Sequence, residues 1–104
     1  MASRAPAHLA KSTAAWWRSV VAEYRLEDHH VRLLTLACEA WDRAQEARTT
    51  LEAEGSYFID RFKQPKAHPA IAVERESRVS FARLLRELDL EGDPQPDIRP
   101  PRRR

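Results

Sequence analysis

The sequence predicts a mainly α fold: a three-helix subunit with a long central helix over about residues 28–54 and a short extended or β connector over about 56–62. Three observations carry that expectation. Residues 29–54 contain neither Gly nor Pro, and the run stops at Gly55, a natural residue to follow a helix C-terminus. Within the run, Leu33, Ala37, Ala40, Ala44, Ala47 and Leu51 recur at alternating steps of four and three, a heptad seam with small residues in its middle. After Gly55 the period changes, with Tyr57 and Ile59 alternating with Phe58, Asp60 and Phe62, as in a short strand.

The first helix is expected to begin at Ser12 or Thr13, whose side-chain oxygen can accept a free backbone N–H, and to end near Tyr24. Trp17, Val20, Val21 and Tyr24 then share one face. Trp16 and Trp17 point about 100° apart, so one enters the core and the other lies at its border. A base-stacking platform is the functional alternative for this pair.

Asp28 is the expected N-cap of the central helix, which at 1.5 Å per residue is about 39 Å long. Leu34, Cys38 and Trp41 lie beside the alanine seam and widen its apolar stripe. Asp28–Arg32 and Glu39–Arg43 have the i,i+4 spacing of ion pairs on the wet side. Lys63-Gln64-Pro65-Lys66 reads as a turn. Pro69 suits the first position of a third helix, where a missing N–H costs nothing, with His68 helping to set its start. Phe81, Leu84, Leu85 and Leu88 form an apolar patch in that helix, and Glu74–Arg78 supports its first half. In domain terms, residues 1–11 read as a flexible arm, 12–92 as the helical unit and 93–104 as a disordered Pro- and Arg-rich tail.

Composition narrows the chemistry. The chain has 104 residues, 33% of them charged, and Leu, Ile, Val and Phe together number only 21. Much of the hydrophobic content is alanine, so the core is thin and association with other copies would help it. Net charge is +2, with 15 arginines to 3 lysines, which suits bidentate phosphate contacts but does not by itself make a nucleic-acid binder. Cys38 is the single cysteine, so no intramolecular disulfide or thiolate metal cluster can form. His29 and His30 face different ways on a helix, whereas paired helical ligands need i,i+4 spacing. Two glycines leave no phosphate-binding loop, and no nucleophile or paired-carboxylate arrangement stands out. The sequence therefore points to a protein that is not an enzyme, with no cofactor and no metal. No apolar run approaches the roughly 18–20 residues that span a bilayer, and the start lacks the apolar segment of a secretory signal.

The serial order of features resembles the small subunit of tailed-phage terminases. The segments that carry it are AAWWRSVVAEYRLEDHHVRLLTLACEAWDRAQEARTTLEAEG and, after the extended stretch, HPAIAVERESRVSFARLLRELDL. A Trp-bearing first helix precedes an acidic cap, a long helix ending in Gly and a His-Pro-initiated helix closing on Leu-x-Leu. The resemblance implies a role in viral genome packaging, in a bacteriophage or a prophage. It also implies a homo-oligomeric ring, binding to phage double-stranded DNA, and a terminase large subunit as partner that carries the ATPase and nuclease. The implied location is the cytoplasm of the bacterial host.

The expected packing has the first two helices as an antiparallel pair and the long helix lining subunit contacts. The candidates for the oligomer interface are Leu33, Ala37, Ala40, Trp41, Ala44 and Leu51. The candidates for DNA binding are Arg61, Lys63 and Lys66 in the connector, with Arg99, Arg102, Arg103 and Arg104 in the tail. Repeated around an oligomer, such groups would sum to a basic fringe that binds phosphate in a salt-dependent way. Two rival readings are a helical protein-interaction adaptor and a small dimeric DNA-binding regulator.

Overall fold

The computed structural model describes residues 4–90. The elements run α1 (Lys11–Glu23), α2 (Asp28–Glu54), β1 (Tyr57–Ile59), β2 (Pro65–Ala67) and α3 (Ala70–Leu88). The three helices and the long central one are as expected. The tail expected over residues 93–104 lies outside the described residues.

The most extensive packing in the fold is between α2 and α3, not between α1 and α2. Glu54 meets His68, Arg48 meets Glu74 and Trp41 meets Phe81, so each step back along α2 is a step forward along α3. That register makes the two helices antiparallel. Small residues on both sides, Ala44 and Ala47 on α2 with Ala70 and Ser77 on α3, are buried along it and allow close approach. Burial of Ala47, Leu51 and Ala70 forms one cluster near the hairpin end.

At the other end α1 crosses α2, also antiparallel, since Thr13 meets Asp42 while Trp17 meets Thr35. Leu9, Trp17, Val20, Leu34, Cys38 and Leu88 close the main core there. Trp17 Nε1–H donates to Thr35 Oγ1 at 3.1 Å, which satisfies its polar edge inside that core. Trp16 lies at the border, half-buried against Phe81.

Helix starts differ from expectation in an instructive way. Thr13 does not cap α1 locally, because its hydroxyl is drawn to Asp42 Oδ1 at 2.6 Å. Asp42 Oδ2 accepts the Ala10 N–H at 2.8 Å, so a carboxylate on α2 caps α1 from across the interface. Asp28 is the first residue of α2 rather than its cap. Glu27 holds the cap position, and its N–H donates to His30 Nδ1 at 3.2 Å. Asp28 instead pairs with Arg32 at 3.1 Å. Glu39 pairs not with Arg43 but with His8, at 2.8 Å. That contact, together with the burial of Leu9 in the main core, holds residues 8 and 9 against the helices.

The connector is a two-stranded antiparallel hairpin with the register Tyr57↔Ala67, Phe58↔Lys66 and Ile59↔Pro65. Pro65 and Lys66, expected in a turn, form β2. The turn is the loop of residues 60–64. Asp60 Oδ1 accepts the N–H groups of Phe62 and Gln64 at 2.8 and 3.0 Å, an Asx-type turn that closes the loop. His68 ends the hairpin by linking three parts. Its Nε2 meets Glu54 Oε1 at 2.7 Å, its Nδ1 accepts the Ala70 N–H at 3.0 Å, and its ring takes Phe58 edge-on.

Candidate functional site

The hairpin brings the three described cationic candidates together. Between Glu54 and Glu74 the sequence has one acid, Asp60, and its side chain is turned into the loop it closes. Lys66 reaches back along the hairpin to that carboxylate at 3.8 Å. Arg61 lies over the Phe62 ring, 5.2 Å from its centroid, a cation–π contact at the loop tip. Lys63 holds a left-handed backbone, φ 61, which directs the turn. Arg61 and Lys63 thus flank the exposed Phe62 with no acid presented beside them. Arg99, Arg102, Arg103 and Arg104 lie outside the described residues.

The register sorts the rest of the hairpin into two unlike faces. Tyr57, Ile59, Pro65 and Ala67 share one side, because paired residues point the same way and successive residues alternate. All four are exposed, Tyr57 and Ile59 to 67% and 65%, and none is charged. The other side carries Phe58 and Lys66. An all-apolar exposed face beside a cationic tip was not foreseen from the sequence. The odd-numbered alternation of 57, 59, 65 and 67 was its available signal, hidden while Pro65 and Lys66 read as a turn.

The oligomer candidates divide. Ala37, Ala44 and Leu51 are buried within the single chain, in the packing of α2 with its own neighbours, so in this conformation they present no surface to a second copy. Leu33 and Ala40 are half-buried, and Trp41 is 44% exposed. The last two lie on opposite flanks of α3. Ala40 lines a shallow groove with Leu36, Val73 and Leu84. Trp41 stands in an aromatic slot with Trp16 and Phe81, the Phe81 ring centroid lying 5.2 Å from that of Trp41 and 6.3 Å from that of Trp16.

Among the described residues no three His, Cys, Asp or Glu side chains converge on a point where a cation could sit. His29 and His30 stack on each other, ring centroids 4.1 Å apart, and His30 is committed to the start of α2. Burial, then the Asp42 and Glu39 carboxylates, push the Cys38 thiol up to about 12, the opposite of an activated nucleophile. Among the described residues no helix is long and apolar enough to cross a membrane.

No curated protein and no solved structure matches the chain. A family model does, and it spans the Trp-bearing α1, the long α2, the hairpin and α3 in one stretch. That model, described as phage terminase, small subunit, covers residues 14–99, and the chain belongs to this family.

Proposed function

We propose that the protein is a non-enzymatic terminase small subunit that assembles with copies of itself, contacts phage DNA during genome packaging and works with the large, ATP-hydrolysing subunit. The observation that carries the DNA part is the hairpin tip, where Arg61 and Lys63 flank Phe62 and the only nearby acid faces inward. Lys66 adds charge behind it, and the arginines at 99 and 102–104 would add a second basic group. A two-stranded antiparallel ribbon has the width to enter a major groove, so the tip can reach a duplex.

Assembly is supported by apolar surface that the monomer leaves open. Leu36 and Val73 are exposed beside Ala40 on one flank of α3. A heterologous contact between such a flank and a different patch on the next copy is the kind that closes into a ring. The apolar face of the hairpin favours a protein surface over phosphate, which gives the adaptor reading a specific foothold alongside the first. In that reading the hairpin docks on a protein and touches no DNA.

Duplex binding across a salt series separates the two. Fluorescence anisotropy with the full chain is expected to show affinity falling linearly in log–log form as salt rises. Arg61→Ala together with Lys63→Gly should weaken binding and lower the slope by about 2, near 1 per lost phosphate contact. Glycine suits position 63, whose φ is positive, so the second change removes a charge without straining the turn. Absence of binding at low salt, or an unchanged slope in the double variant, would reject the hairpin as the DNA contact.

A further inference from the structure

The two edges of the hairpin are not alike. His68 N–H donates to the Ser56 carbonyl at 2.7 Å and Asp60 N–H to that of Gln64 at 3.0 Å, so the even-numbered positions of β1 carry the bonds to β2. The N–H and C=O groups of Tyr57 and Ile59 therefore point away from β2, and among the described residues no group pairs with them. On the outer edge of β2 the corresponding residues are Ala67 and Pro65, and Pro65 has no N–H to give. Proline blunts that edge, whereas β1 offers a complete one and is exposed along its whole length. A sheet running from β1 of one copy to β2 of the next would lack a bond at Pro65.

We infer that β1 pairs with β1 of a second copy, antiparallel and centred on Phe58, so that Tyr57 faces Ile59 of the second copy and the hairpins fuse into one sheet. The inference rests on the reading that the chain assembles with copies of itself, and it names a surface by which two of them meet. In this register the strand is its own complement. Tyr57 and Ile59 both turn their backbone outward, so the opposed residues exchange both N–H···O=C bonds. Their side chains form an aromatic–β-branched pair on the apolar face. The Phe58 side chains of the two copies meet on the other face, at a non-hydrogen-bonded position where side chains come closest. Charge selects the same direction. Arg61 and Lys63 stand at the tip, with Lys66 behind them on an Asp60 that is turned into the loop. At the other end Glu54, bonded to His68 through Oε1, is 61% exposed. Antiparallel pairing carries each cationic tip to the Glu54 end of the other copy, whereas parallel pairing sets like charges side by side. Such a contact has a two-fold axis, so it joins copies in pairs, or one ring to another, and is not a step around a ring.

Added cysteines read the register directly. Cys38 is fully buried, which leaves a cysteine placed in the hairpin as the accessible thiol. Full-length Phe58→Cys, Tyr57→Cys and Ile59→Cys are each equilibrated in a glutathione redox buffer without DNA, and the products are weighed by mass spectrometry without reductant. Phe58 opposes itself at a Cα separation of about 4.5 Å, within the span that a disulfide bridges. Phe58→Cys is therefore expected to give mainly disulfide-linked dimer. Tyr57→Cys or Ile59→Cys alone should stay unlinked, because like residues are offset diagonally by about 7–8 Å. Refolded together, these last two should form a mixed disulfide joining one variant to the other, and that pair leaves the Phe58–His68 contact intact. Equal cross-linking of every variant, or no mixed disulfide between the Tyr57 and Ile59 variants, would overturn the inference. If light scattering still gives the parent chain a mass above a monomer, the assembly reading stands and only the hairpin contact falls. A monomeric parent chain removes both.

Discussion

Cys38 shows how one buried group records its surroundings. It is fully buried in the core with Trp17, Val20 and Leu34, and the carboxylates of Glu39, its neighbour in sequence, and Asp42, one turn on, act on it. An unfolded thiol ionises near 9.0, while the folded one keeps its proton to about 12. Below pH 9 both states are protonated, and this contribution to stability is fully present. Above it the unfolded chain loses a proton that the folded chain retains, so stability falls as pH rises, by up to about 1.4 kcal/mol per pH unit. Urea unfolding between pH 8 and 10.5 is expected to show that decline. Cys38→Ala should flatten it, at a cost of about 1 kcal/mol near neutral pH from the lost packing. A decline of equal steepness in the variant would place its origin in other groups.

At the scale of elements, Gly55 joins α2 to the hairpin with φ 89 and ψ 160, a conformation open in practice to glycine alone. A Cβ there would meet only the Tyr57 carbonyl oxygen, at 3.9 Å, so space is not the constraint. Gly55→Ala is accordingly expected to destabilise by about 1–3 kcal/mol through backbone strain, read as a lower denaturation midpoint with an unchanged m-value. This junction and α2 itself were legible in the sequence, because an unbroken run ending in Gly has few other readings. The start of α1 was not, since its capping carboxylate, Asp42, lies 29 residues beyond Thr13. Nor was β2 legible, because a strand opening with Pro65 looks like a turn until its partner Ile59 is known. Among the candidate residues, the clustering of Arg61, Lys63 and Lys66 could be read directly. The inward turn of Asp60, which leaves the tip cationic, required the loop's hydrogen bonds.

Across the whole molecule, the alanine seam has two partners that look identical in a sequence. A heptad of small residues marks a close helix contact without saying whether the other helix belongs to the same chain. Here α3 covers Ala44 and Ala47 from within the chain, while Ala40 opens toward the Leu36–Val73 groove on its flank. Two substitutions on one helix therefore have separable consequences. Ala44→Leu adds volume to a filled α2–α3 contact and is expected to destabilise the fold by about 1–3 kcal/mol. Ala40→Glu places a charge in a half-buried, solvent-reachable groove, so its unfolding midpoint should move less than that of Ala44→Leu. Its effect should appear as a smaller assembly in light scattering after size exclusion. If Ala40→Glu keeps the parent mass, the surface between subunits lies away from this flank, and the hairpin's Tyr57–Ile59 face is the next place to introduce a charge.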